Sequence, residues 1–174
     1  MMNKLQMKFY GDNVLREVAA PVAEITDELR ATLDSMVALT GEQMGAGLAA
    51  PQVGISQRFL VMYAPISEDD MGPPIKMINP KIVSKSDACS TLEEGCLSIL
   101  GPDHNPVFAN VERAESVVVE WTDELGAMQS REFSGFAARV VQHEIDHLDG
   151  ILFIDHLSSV KREQVVNKTK KRKN

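Results

Sequence analysis

The sequence predicts an α+β fold, and three observations carry that prediction. Helical periodicity occurs in two well-separated stretches, near residues 27–40 and 135–149. The region between them holds several short runs with the composition of strands. Strands and helices do not alternate regularly, which favours α+β over a parallel doubly wound sheet. The chain has 174 residues, 44% apolar and 25% charged, enough for one domain with a hydrophobic core. No repeat, low-complexity block or long linker divides it, so residues 1–174 read as one domain.

The start, "MMNKLQMKFYGDNVLRE", has no apolar core and does not read as a secretory signal. No apolar run approaches the roughly 20 residues of a membrane span. The two cysteines, Cys89 and Cys96, therefore read as reduced thiols in a cytoplasm. The first helix is expected over about Asp27 to Thr40. Thr26 can cap it, Asp27 and Glu28 suit its positive end, and Leu29, Leu33, Met36, Val37 and Thr40 share one face.

A glycine-rich loop, "GAGLAAPQVG", follows, and then the strands. "RFLVMYA" is a continuous apolar run that fits a strand buried on both faces. "IKMINPKIV" is extended chain in which Pro80 demands an edge or a bulge. "SVVVEWTDELGAMQSREF" is a hairpin, with "DELG" as its turn and Val117, Val119 and Trp121 on one face. The second helix is expected from Gly135 to Asp149, capped by Ser134 and stopped by Gly150. A shorter third helix begins near Ser158.

The net charge of −7 hides an asymmetry: residues 161–174 carry seven Lys/Arg against one Glu, a balance of +6, and the rest carries −13. A basic tail on an acidic body either meets an anionic partner or is a solvated terminus.

The second helix contains "VVQHEIDHLDG". Four helical residues turn the chain by about 400°, so His143 and His147 point about 40° apart, one turn up. Their stripe continues backwards to Val140 and Phe136, beside Ala137, Val141, Ile145 and Leu148. Arg139, Gln142, Asp146 and Asp149 are expected on the opposite, solvent-facing side. Buried imidazoles are costly without partners, and His-Glu-x-x-His on such a helix points to a divalent metal ion. The third ligand is less determined. Neither a histidine six residues past His147, where Phe153 stands, nor a glutamate on a later helix fits the common metalloprotease patterns. Cys96, Cys89, His104 and His156 remain, and Gly95, which permits close backbone approach, moderately favours Cys96.

Three segments, "GAGLAAPQ", "EGCLS" and "QHEIDHLDG", together resemble the peptide deformylase family in kind and order. "VLREVAAPV" and "GILFIDHLS" extend the similarity over nearly the whole chain. The resemblance implies antiparallel sheets wrapped around a central helix carrying the histidines, with an N-terminal and a C-terminal helix besides. It implies Cys96, His143 and His147 as ligands of one divalent ion, usually Fe2+, with Zn2+, Ni2+ or Co2+ able to take its place. The implied reaction removes the formyl group from N-formylmethionine at the start of newly made polypeptides and releases formate, in the cytoplasm. Glu144 would move the water's proton to the leaving nitrogen. The Gln52 amide and the Leu97 N–H would meet the formyl oxygen. Gly45, Ala46, Gly47 and Gly95 would bind the substrate, which adds as an extended strand.

The chain departs from the family after "EGCLS". Many members continue with proline and glycine and then an arginine; here "ILGPDHNPVFANVERAE" follows, with Leu100 where proline is common. Arg113 stands too far along to be assigned as that arginine, so Glu94 has no expected partner. Residues 101–110 are expected to form a modified lip over the methionine pocket. The tail is expected to dock on the ribosome through phosphate contacts; neither a membrane nor DNA is expected as a partner. Competing readings are a small metallopeptidase, a homologue that only binds formyl peptides, and a structural zinc domain. A structural site would need a fourth protein ligand that is not evident.

Overall fold

The computed structural model describes residues 5–67 and 69–170. The chain runs α1 (Asp27–Glu42), β1 (Gly47–Ala49), β2 (Phe59–Tyr63), β3 (Pro74–Lys85), β4 (Cys89–Glu94), β5 (Ala109–Ala114), β6 (Ser116–Thr122), β7 (Met128–Ser134), α2 (Gly135–Leu148) and α3 (Ser159–Lys170). Five strands form an antiparallel sheet in the order β1-β2-β3-β6-β7, while β4 and β5 pair separately. The expected α+β class, with sheets around a central helix, is the observed one.

The continuous apolar run in β2 is explained by helices on both sides of the large sheet. Phe59 and Val61, with Ile78 of β3, meet Leu29, Leu33 and Met36 of α1. Leu60 and Met62 point the other way, joining Met77, Val117, Val119, Trp121 and Phe133 against Val140, Val141, Ile145 and Leu148 of α2. Burying such a side chain contributes roughly 1.5–3 kcal/mol each. The cap on α1 is as expected: Thr26 Oγ1 accepts from the Leu29 N–H at 3.1 Å.

Pro80 takes the bulge alternative and not the edge, because β3 lies between β2 and β6. The register slips between Ile78 and Lys81. Asn79 adopts a φ of +52° there. Its side chain clamps Val22, accepting from the N–H at 2.8 Å and donating to the carbonyl at 2.9 Å. The β6–β7 hairpin turns at Asp123, whose carboxylate accepts from the Leu125 and Ala127 N–H groups.

Ser134 sits at the N-cap of α2 but makes no side-chain capping bond. Gly150, at φ +71°, ends the helix as expected. The faces of α2 differ from the periodicity reading. Arg139 and Gln142, expected in solvent, are 5% and 4% exposed, whereas Phe136, expected in the core, is 53% exposed. The reason is the β4–β5 hairpin, which covers the flank of α2 opposite the large sheet. Gln142 Nε2 donates to the Ala114 carbonyl at 3.0 Å, and Arg139 donates to the carbonyls of Val111 and Ser90, each at 2.9 Å. Asp146 is half-buried, and Asp149 alone of that set is exposed.

A 3₁₀ turn at Phe153–His156 precedes α3. Val165 of α3 is buried with Leu15, Ile99, Val107, Phe153 and Ile154. Residues 171–174 of the basic tail lie outside the described residues. Among the described residues no helix is long and apolar enough to cross a membrane.

Candidate functional site

Four elements converge at one point. The turn after β4 delivers Cys96, α2 delivers His143, Glu144 and His147, the 3₁₀ turn after β1 delivers Gln52, and the segment entering β1 delivers Gly45 to Gly47. Cys96, His143 and His147 are all buried, and their donor atoms lie within 4.8 Å of one another. Cys96 Sγ stands 3.3 Å from His147 Nε2, which is 3.2 Å from His143 Nε2. The other ligand candidates are elsewhere. Cys89 is an exposed thiol at the start of β4, and His104 is on an exposed turn at φ +62°. His156 bonds Asp146 at 2.7 Å.

Two imidazoles this close cannot both be charged. Burial and the neighbouring His143 push His147 well below its ordinary range. Burial also acts against charge on His143, but Cys96 and Glu94 outweigh it and raise that group. Electron-pair donors crowded together out of water suit a shared cation better than a shared proton. One sulfur and two nitrogens are the donor types of divalent transition metals. Thus the site is compatible with a single metal ion.

His143 is aimed by a buried charge network. Its Nδ1 lies 2.6 Å from Glu94 Oε1. Glu94 also accepts two bonds from Arg113, at 2.6 and 2.8 Å, and one from Arg139 at 3.1 Å. Arg113 reaches on to Asp146 at 2.8 Å. Burial would raise the Glu94 carboxyl, yet the bonds from Arg113 and His143 hold it well below the usual carboxylate range. A carboxylate on the far nitrogen of a ligating histidine fixes its tautomer and ring orientation. The sequence reading assigned Glu94 no partner, and this is corrected: Arg113 is that partner. Antiparallel pairing of β4 with β5 sets Glu94 opposite Ala109 and Arg113 opposite Ser90 on the same face, and the Arg113 side chain reaches along that face to Glu94. Distance along the chain was the wrong measure; strand alternation, which puts positions 109 and 113 on one face of the hairpin, was the available signal.

Glu144 is the opposite case. Its Oε2 is buried without a hydrogen-bond partner among the described residues. Burial, opposed by His143, pushes its carboxyl up to about 7. Gly47 packs against it so closely that a Cβ there would lie 2.7 Å from Glu144 Cγ. Gln52 is 1% exposed. Its Oε1 accepts from the Ala49 N–H at 2.9 Å, which turns Nε2 towards Ser98 Oγ at 3.2 Å and Cys96 Sγ at 3.7 Å. The Leu97 N–H donates to no backbone acceptor among the described residues.

These groups line a cavity of about 260 Å³, together with Gly45, Ala46, Gly95, Leu97, Phe108, Phe136 and Val140. β1 is an edge strand. The Ala46 carbonyl accepts from the Tyr63 N–H at 2.8 Å, so Ala46 faces β2. Alternation along extended chain then turns the main-chain groups of Gly47 to the open edge. Of the site residues expected from the sequence, all but His147 line this cavity, and His147 lies within 3.3 Å of two that do. The sequence reading missed Arg113 and Arg139.

Comparison with known proteins agrees with this arrangement. The sequence profile of the polypeptide deformylase family matches residues 4–163. A peptide deformylase of Mesorhizobium japonicum is 46% identical over 160 residues, covering 92% of this chain and 88% of that protein. One from Endomicrobium trichonymphae is 42% identical over 172 residues, covering 99% and 97%. The crystal structure of the Ehrlichia chaffeensis peptide deformylase in complex with actinonin superposes with a TM-score of 0.89 at 35% identity, covering 99% of each chain. The class I type b enzyme of Acinetobacter baumannii, solved with Met-Ala-Ser bound, gives 0.80 at 37% identity, covering 90% of this chain and 100% of that one. By profile, by identity and by fold, this chain belongs to the polypeptide deformylase family.

Proposed function

We propose that the buried Cys96–His143–His147 cluster is the catalytic metal centre of the reaction for which the family is known, and that Fe2+ is its native ion. The family removes the N-formyl group from newly made polypeptides by metal-dependent hydrolysis, and this chain is an enzyme of that kind. The observation that carries the site assignment is the convergence of one thiol and two imidazoles beside an unpartnered, buried Glu144 carboxylate oxygen. When bound there, a divalent ion supplies Lewis acidity, which activates water near neutral pH and polarises a carbonyl.

The chain's own residues do the rest. Glu144, with a pKa pushed up to about 7, can accept a proton and return it at working pH. Gln52 Nε2 and the Leu97 N–H donate to the formyl oxygen as it gains charge. Gln52 is held in place by its bond from Ala49, so little reorganisation is needed. Gly47 on the open edge of β1, with Gly45 and Ala46 just before it and Gly95 across the cavity, lines the path of the peptide, whose main chain adds as a strand. Such pairing tolerates many downstream sequences. The Met-Ala-Ser bound to the Acinetobacter baumannii relative supports a substrate of this class. One catalytic domain spans residues 1–174. The compartment is the cytoplasm, where polypeptides are made.

The basic tail beginning in α3 docks on the ribosome by phosphate contacts. Deleting residues 167–174 then lowers ribosome co-sedimentation and flattens its salt dependence; unaltered co-sedimentation would remove this part of the reading. The reaction itself is tested by formate release from formyl-Met-Ala-Ser, with acetyl-Met-Ala-Ser and free Met-Ala-Ser as controls, after anaerobic metal loading. Formate from the formyl peptide alone is expected. Cleavage of the free or acetylated peptide instead would favour a peptidase.

A further inference from the structure

The atypical segment after "EGCLS" puts one side chain onto the site. Phe108, just before β5, lines the cavity and is 54% exposed. It stands beside the backbone next to Cys96: a Cβ on Gly95 would lie 2.7 Å from Phe108 Cε1. Apolar rings left in water are unfavourable, and large apolar side chains at the mouth of a reaction cavity are best explained by what enters it. Met44 and Phe136 flank the same mouth, 94% and 53% exposed. On its outer side Phe108, with Pro106, also lines an open groove with Asp103, Asn105 and Lys168 of α3. The ring thus stands on a ridge between the cavity and the surface.

The peptide's path follows from its fixed end. The formyl group must reach Cys96, His143 and Glu144 at the buried end of the cavity. The first side chain then meets inner wall such as Val140, which is 7% exposed. Each later residue advances about 3.3 Å towards solvent and passes the exposed apolar side chains of the mouth, of which Phe108 is the one supplied by the atypical segment.

We propose that Phe108 is a specificity-determining residue, receiving an apolar side chain of the substrate downstream of its methionine. The inference rests on the deformylase reading and adds a preference that the shared motif residues do not supply. It is tested with kcat and KM for formyl-Met-Ala-Ser, formyl-Met-Phe-Ser and formyl-Met-Ala-Phe, using the wild-type chain, Phe108→Ser and Phe108→Leu. The wild type should favour one of the two Phe-containing peptides about three- to tenfold in kcat/KM, mostly through KM, as suits one aromatic contact. Phe108→Ser should bring the ratio close to one, and Phe108→Leu should keep most of it. A wild-type ratio near one, or a ratio unchanged in Phe108→Ser, overturns the proposal while leaving the deformylase reading intact. No formate from any peptide with the wild-type chain overturns both.

Discussion

The floor and the rim of the cavity are built in opposite ways. On the floor, Glu94, Arg113, Arg139 and His143 are all buried and tied by charge-assisted bonds of 2.6–3.1 Å. At the rim, Met44, Phe108 and Phe136 are more than half exposed. The segment that carries Phe108 is held by short-range bonds, such as Gly101 N–H to the Asn105 carbonyl at 2.8 Å and Val107 N–H to the Ile99 carbonyl at 3.0 Å. The difference matches the tasks. On the proposed function His143 must be held in one orientation, and the buried bonds from Glu94, itself tied to Arg113 and Arg139, do that. A rim that meets many polypeptide sequences is better served by apolar surface, which has no directional demand.

Four substitutions can break or sharpen that contrast, taken from the largest effect down. Glu144→Ala should lower formate release by about 10²–10⁴-fold with bound metal per chain unchanged. Loss of metal along with activity would make Glu144 a ligand instead. Arg113→Met leaves Glu94 buried with fewer cationic partners, and breaking such a pair costs about 3–5 kcal/mol. Urea denaturation of metal-free protein should show that loss; a shift near zero would mean the floor is no more rigidly specified than the rim. Gln52→Leu should cost about 3 kcal/mol of transition-state stabilisation. It should appear in kcat with KM little changed, since the donor acts on charge that develops during reaction. An effect confined to KM would reduce Gln52 to a binding residue.

The smallest effect comes from Arg16→Ala. Arg16 pairs with Asp155 at a partly exposed site that joins the N-terminal segment to the 3₁₀ turn after α2. Burial would raise the Asp155 carboxyl, but the bonds from Arg16 and Leu152 hold it below the usual range. A lowered folded-state pKa gives stability fully present above the unfolded value, about 3.9. That stability is lost as pH falls through the lower folded value. The wild-type advantage should therefore stay level from neutrality down to about pH 5, at no more than about 1 kcal/mol, and close below pH 4. A gap that widens on acidification would contradict the pairing.

The same contrast explains what the sequence revealed. α1, the β6–β7 hairpin and the buried β2 were legible because each is decided by a single neighbour pattern: one apolar stripe, one alternation, one unbroken run. The faces of α2 were not. Periodicity sorts a helix into one wet and one dry side, yet α2 is enclosed, and the β4–β5 hairpin satisfies Arg139 and Gln142 with its own carbonyls. Pro80 was readable as an edge or a bulge but not as which of the two, since Val22, distant in sequence, supplies the bonds that hold Asn79. At the site, His143, Glu144 and His147 announce themselves through helical spacing, whereas Cys96 needed the company of three motif segments. Arg113 was hidden because its backbone stands opposite Ser90, four residues along from Glu94, and only the long side chain closes the gap.

The central claim is that Cys96, His143 and His147 share one ion. X-ray absorption at the metal edge of anaerobically loaded protein tests it most directly. One sulfur and two imidazole nitrogens are expected around a single metal per chain, with the sulfur contribution gone in Cys96→Ser. A first shell of nitrogen and oxygen alone in the wild-type protein would contradict it.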